Sequence, residues 1–149
     1  QVKAGANLLQ IFDSWASVLN PEIYKSFALP YMKQITDALM GSVPITVFAK
    51  GANFSIGDLA QLECNTIGLD WNVPVEFAKG QSHGKTLQGN LDPAVLYSSG
   101  KDIVKHTKTM MAAFGNHPHI ANLGHGVYPD MKPDAVRTFI NTVKEYRHE

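Results

Sequence analysis

Short apolar runs alternate with longer amphipathic stretches along the whole chain. Leu8-Leu9-Gln10-Ile11-Phe12 stops at Asp13-Ser14, and Ile45-Thr46-Val47-Phe48-Ala49 stops at Lys50-Gly51. Thr66-Ile67-Gly68-Leu69 meets Asp70-Trp71, and Thr86-Leu87-Gln88-Gly89 meets Asn90-Leu91-Asp92-Pro93. The last run, from His119 to Leu123, enters the glycine-flanked histidine of Gly124-His125-Gly126. Runs of this length, bounded by polar clusters, read as parallel strands buried on both faces.

The gaps between the runs read as helices. Asn20-Pro21 is an N-cap followed by a first-turn proline, and Ile23, Phe27, Tyr31, Ile35 and Leu39 follow at near-helical spacing. Pro30 breaks that stretch, so a short helix and a second one ending at Gly41 are expected. Ser55-Ile56-Gly57-Asp58 resembles a capping box that turns Leu59 and Leu62 to the sheet. Residues 74–84 hold about two helical turns. Ile103, Val104, Thr107, Met111 and Phe114 share one helical face that stops at Gly115. Lys132-Pro133-Asp134 opens a last helix with Val136, Phe139, Ile140 and Val143 as its stripe. The methionines and aromatics on these stripes read as core.

Strand–helix alternation implies a parallel sheet with right-handed crossovers. Two architectures fit: a complete five-stranded doubly wound domain, or the C-terminal part of a (β/α)8 barrel, which normally takes about 250 residues. Either would gather its chemistry at the carboxyl ends of the strands.

A length of 149 residues sets a single domain, spanning residues 1–149, with a real core. Thirteen basic and 13 acidic side chains cancel without a run of either sign, which argues against a nucleic-acid partner. The only arginines, Arg137 and Arg147, fall near the C-terminus, so a polyanion clamp would be incomplete. A single cysteine, Cys64, rules out an intrachain disulfide and points to a reducing compartment. No apolar stretch reaches the ~18 residues that would span a membrane. The start, Gln1-Val2-Lys3, has no initiator methionine and no secretory character, as expected of a chain cut or processed internally.

His125 is the strongest chemical candidate. Imidazole titrates near neutrality, and flanking glycines let the backbone approach a ligand. Ser14 shares strand parity with Phe12, so the two point to one side. Spacing alone leaves each open to a purely structural role, as a loop-shaping histidine and a helix-approach serine. Ser14 lacks a neighbouring base and a glycine elbow, so it is not a nucleophile. Lys50 and Asp70 form an ion pair or flank a ligand, and Asp92 caps the turn begun by Pro93. His83, His106, His117, His119 and His148 fall in loops or on helix faces, and His117-Pro118-His119 has no thiol or carboxylate partner for a metal. Neither a P-loop nor a GxGxxG supports a nucleotide cofactor.

Taken together, Gln10-Ile11-Phe12-Asp13-Ser14-Trp15-Ala16, Phe27-Ala28-Leu29-Pro30-Tyr31, Phe48-Ala49-Lys50-Gly51, Gly68-Leu69-Asp70-Trp71, Leu87-Gln88-Gly89-Asn90-Leu91-Asp92-Pro93 and Asn122-Leu123-Gly124-His125-Gly126-Val127-Tyr128-Pro129-Asp130 resemble the uroporphyrinogen decarboxylase family, in the family's order and across essentially the whole chain. The resemblance selects the barrel over the doubly wound sheet. It implies a cytoplasmic or plastid homodimer that removes carbon dioxide from the four acetate arms of uroporphyrinogen, without cofactor or metal, to give coproporphyrinogen. Ser14 and His125 match the family's substrate-contacting positions, with His125 meeting a carboxylate or relaying protons. The family's pyrrole-binding aspartate, its paired arginines and a tyrosine near the ligand belong to a part N-terminal to this chain, so the chain is expected to be inactive alone. Two alternatives accompany that reading. One is a zinc- and cobamide-dependent methyltransferase of the same superfamily, and the other is a non-catalytic five-stranded α/β module.

Overall fold

The computed structural model describes residues 1–147, so His148 lies outside the described residues. Five strands, β1 (Leu9–Asp13), β2 (Ile45–Ala49), β3 (Thr66–Gly68), β4 (Thr86–Leu91) and β5 (His119–Leu123), pair in parallel and in chain order. Helices α1 (Pro21–Phe27) and α2 (Leu29–Leu39) follow β1, and α3 (Ile56–Leu59) follows β2. Then α4 (Val75–Gln81) follows β3, α5 (Gly100–Phe114) follows β4 and α6 (Pro133–Glu145) follows β5. A doubly wound sheet reverses its strand order at a switch point, whereas a (β/α)8 barrel adds each strand beside the last. This chain does the second.

Local chemistry sets most element boundaries. The Asn20 carboxamide oxygen accepts from Ile23 N at 2.9 Å, and Pro21 fills the first helical position. The expected pair of helices forms, but the break falls at Ala28, two residues before Pro30, which sits in the first turn of α2. Helix α2 ends at Leu39, short of Gly41. Ser99 caps α5 by accepting from Asp102 N, and the helix stops at Gly115. The capping box expected at Ser55 does not form. Its hydroxyl donates instead to the Ala52 carbonyl at 2.7 Å, because a tight helical turn delivers residue 55 to the start of a four-residue helix. Leu59 and Leu62 are nevertheless buried.

The helices cover one face of the sheet. Ile45, Val47, Ile67, Leu87 and Leu91 point into that layer and form the core with Ile56, Leu59, Ile103 and Phe114. On the other face, Gln10, Thr46, Thr66 and Thr86 make one row, and Phe12, Phe48, Gly68, Gln88 and Ile120 the next. Burial on both faces therefore holds for the central strands β2 and β3 only, while Phe12 and Ile120 on the outer strands are exposed.

A hydrogen bond fixes the curvature of this second face. Gln88 Nε2 donates to Gln10 Oε1 at 3.3 Å, although β2 and β3 separate their strands. A flat sheet would hold β1 and β4 about 14 Å apart at the usual strand spacing. Only a curled sheet brings the two carboxamides together, so the five strands form an arc of a barrel.

One stripe reading needs correction. The residues of α1 and α2 that face the core are Tyr24, Met32 and Thr36, one position along from the predicted set. Ile23, Phe27, Tyr31 and Ile35 lie on the solvent side, and Phe27 is 65% exposed. On α6, Phe139 is buried but Ile140 is exposed. These three helices belong to the outermost units of the arc, where a neighbouring unit is present on one flank only.

Candidate functional site at the carboxyl ends of the strands

The inner face of the arc and the loops above it enclose a hollow of about 340 Å3. Gln10, Phe12 and Ser14 come from the first strand and its loop, Phe48 from the second strand, Gln88 from the fourth, and Asn122 and His125 from the fifth strand and its loop. Ser14 and His125 therefore overlook one cavity, despite the 110 intervening residues. Ser14 is exposed and shares its wall with Phe12, in keeping with strand parity.

His125 is half-buried between two aromatic rings. Phe48 and Trp71 each present an edge-type contact at a centroid distance of 6.3 Å, with interplanar angles of 65° and 83°. These contacts restrict the imidazole plane while one side stays open to the hollow. The two flanking glycines differ. A Cβ on Gly124 would collide with the backbone of Asp70 and Trp71, so only glycine allows β5 to end against the β3 loop. Gly126 borders the hollow and meets nothing nearby.

Asp70 fastens the rim from beneath. Only 2% of it is exposed, and its carboxylate accepts from Gly51 N at 2.6 Å and Asn72 N at 2.8 Å. Asn90 completes the knot by donating to the Asp70 and Val73 carbonyls at 3.1 and 2.9 Å. Of the two alternatives for Lys50 and Asp70, the ion pair does not form, and backbone N–H groups bind the buried carboxylate. Lys50 instead holds its ammonium 5.5 Å from the centre of the Trp71 ring.

The remaining sequence candidates fall elsewhere. Asp92 caps its turn by accepting from Ala94 N at 2.8 Å. His117 bonds to the Lys85 carbonyl, while His119 lies on β5, stacks on Phe114 at 3.5 Å and bonds to the Gly89 carbonyl at 2.6 Å. Cys64 is buried just before β3, at the amino ends of the strands and away from His125; burial pushes its thiol pKa up. Among the described residues, no group of three or more His, Cys, Asp or Glu is placed to hold a metal ion. Nor is any helix of theirs long and apolar enough to cross a membrane.

Gln10, Phe48, Gln88 and Asn122 were not singled out from the sequence. Their signal was parity on the strands, which marks the inner face without showing that the face closes into a hollow.

The family model for uroporphyrinogen decarboxylase (URO-D) matches residues 1–146. The chain belongs to that family. Proteins named uroporphyrinogen decarboxylase from Chloroherpeton thalassium and Homo sapiens are 42% and 43% identical to it, over 97% and 98% of its length. The chain spans 43% and 42% of those two relatives. Among solved structures, a methyltransferase from Methanosarcina mazei superposes with a TM-score of 0.84 over 97% of this chain and 43% of its own, at 18% identity. That likeness establishes the shared fold. Within the uroporphyrinogen decarboxylase family, the hollow takes its place at the strand ends where barrel enzymes carry their chemistry.

Proposed function

We propose that this chain is the C-terminal portion of a uroporphyrinogen decarboxylase barrel and supplies one wall of its active site. The observation that carries the proposal is the meeting of Ser14 and His125 at one hollow in a chain of this family. In the proposed reaction, protonation of a pyrrole carbon turns the ring into an electron sink. The C–C bond to the adjacent acetate carboxylate then breaks, and carbon dioxide leaves with the bonding pair passing into the ring. A proton is added to the methylene carbon left behind, and the ring carbon gives up the proton it first gained, which restores the pyrrole. Four such events convert uroporphyrinogen to coproporphyrinogen, with no organic cofactor or metal taking part.

His125 is assigned to hold a substrate carboxylate or pass a proton, for which an imidazole near neutral pH is suited. Ser14 donates a hydrogen bond to a second carboxylate. Phe12, 67% exposed on the same wall, offers an apolar surface to the flat faces of the pyrroles. The working enzyme is a homodimer of the cytoplasm or plastid, with uroporphyrinogen as its partner molecule.

An octa-anion also needs cations. Arg137 lies on α6 and Arg147 beyond it, both outside the hollow lining. The chain alone is therefore proposed to be inactive, the arginine-bearing wall coming from the rest of the enzyme. The open edges of β1 and β5 support an arc that further strands complete. A decarboxylation assay of this chain, with and without the remainder of the enzyme, tests this: turnover should require both parts. Full turnover by the chain alone would overturn its incompleteness, and an active assembly untouched by loss of both Ser14 and His125 would overturn the site.

A further inference from the structure

We propose that Lys50 is a substrate-binding residue of this site, contributing a cation for one of the substrate's carboxylates. The inference rests on the functional reading above and adds a residue to it. Lys50 sits in the turn that ends β2, two residues beyond Phe48 of the hollow wall. Three hydrogen bonds clamp the turn. Lys50 N donates to the Asp13 carbonyl at 2.9 Å, and its own carbonyl accepts from Ser17 N at 3.1 Å. The next residue, Gly51, donates to Asp70. A left-handed φ of +69° and a Cβ position that would collide with Ser17 require glycine there.

The first two clamps bracket Ser14 in sequence, so the backbone of Lys50 is fixed against the loop that carries Ser14. Its side chain extends the other way, over Trp71, whose ring meets His125 edge-on. Lys50 itself stands just outside the lining of the hollow, one ring away from the lining residue His125. Among the described residues, no carboxylate lies within ion-pair distance of its ammonium. The Asp70 carboxylate is buried and accepts one backbone N–H on each oxygen. Lys50 is half-buried as a residue, and an ammonium set over an aromatic face with no carboxylate beside it gains from an incoming anion. The clamped backbone also removes much of the ordering cost of binding one. The fitting ligand group is a carboxylate, the group the proposed substrate carries on every arm.

The test uses the complete enzyme that contains this chain, with uroporphyrinogen III as the probe. Replacing Lys50→Gln should raise KM about tenfold with kcat changed far less, as loss of one charge-assisted hydrogen bond predicts. Lys50→Arg, which keeps the charge, should restore KM to within about threefold of the parent value. Ser14→Ala and His125→Ala run alongside. If these two impair the enzyme while Lys50→Gln leaves KM unchanged, the assignment of Lys50 fails and the site stands. When none of the three has an effect, the functional reading itself fails. Equal KM increases in Lys50→Gln and Lys50→Arg would also overturn the proposal, since charge would then be irrelevant. Should Lys50→Gln not fold, Lys50→Met, which keeps the stem against Trp71, replaces it with the same deciding outcomes.

Discussion

Helices α1–α2 and α5 look alike as sequences, each with an apolar stripe at helical spacing, yet the structure treats them oppositely. Of the predicted stripe of α5, Ile103, Thr107, Met111 and Phe114 are buried and Val104 is half-buried. The predicted stripe of α1–α2 faces out at Ile23, Phe27, Tyr31 and Ile35, while Tyr24, Met32 and Thr36 face in. Position in the arc makes the difference. Helix α5 packs between α4 and α6, whereas α1–α2 stand at the open end beside β1. An apolar stripe reports that a neighbour is required, and the fold decides whether that neighbour belongs to this chain.

The largest expected contrast is between two phenylalanines. Phe114 is 0% exposed, and truncating it to alanine should destabilise the chain by about 3–5 kcal/mol. Phe27→Ala should cost less than about 0.5 kcal/mol, because the ring is already in water. Urea denaturation of both variants measures the difference. Similar midpoints for the two would mean that Phe27 is packed inside this chain after all.

A second contrast lies within α1 itself. Tyr24 is completely buried, and desolvation, with Asp13 adding to it, pushes its pKa up from 10.0 to about 12. The folded value is the higher one, so the stabilising contribution is complete below pH 10 and is lost as pH rises through about 12. Its size is roughly 2–3 kcal/mol by the usual conversion of about 1.4 kcal/mol per unit. Tyr97, whose hydroxyl donates to Asp130 at 2.7 Å, is also raised to about 12 by that bond. Absorbance titration near 295 nm should therefore show a late step near pH 12 that Tyr24→Phe reduces by one tyrosine. Ionisation of every tyrosine near pH 10 would place the Tyr24 ring in water.

How much of this was legible in the sequence follows the same division. Strand positions came through because the core-facing residues, such as Ile45, Val47, Ile67 and Leu87, are apolar wherever they sit in the arc. Strand β4 runs two residues past its expected end because Asn90 reads as a loop residue until its carboxamide finds the Asp70 and Val73 carbonyls. The polar inner row of Gln10, Thr46, Thr66 and Thr86 was visible as interruptions in apolar runs, without a reason attached. The positions of Ser14 and His125 beside the hollow agree with strand parity and with their place at the strand ends. For Lys50 the sequence left an ion pair with Asp70 and a place near a ligand both open, since periodicity cannot foresee that two backbone N–H groups reach that carboxylate.

Caps should ignore the contrast, because their energetics are local. Asn20→Ala at the open end and Ser99→Ala in the middle of the arc each remove one acceptor from a helix N-terminus. Each should cost about 1 kcal/mol in denaturant unfolding. A much smaller loss at Asn20 would show that α1 frays at the end of the arc, which would sharpen the distinction drawn from the stripes.

The smallest stability effect carries the most information about assembly. Replacing Phe27→Ser and Tyr31→Ser together removes two rings that touch little of this chain's core, so unfolding should shift by no more than about 0.5 kcal/mol. Association should respond instead. An arc with two bare strand edges and an apolar helix face is sticky, and sedimentation velocity of the parent chain should show self-association. The double variant should associate less, and it should also bind the remainder of the enzyme more weakly if that remainder packs against α1 and α2. A parent chain that sediments as a clean monomer and takes up no complementing partner would identify the exposed stripe as an ordinary surface. It would favour a self-sufficient five-stranded module over an arc awaiting completion.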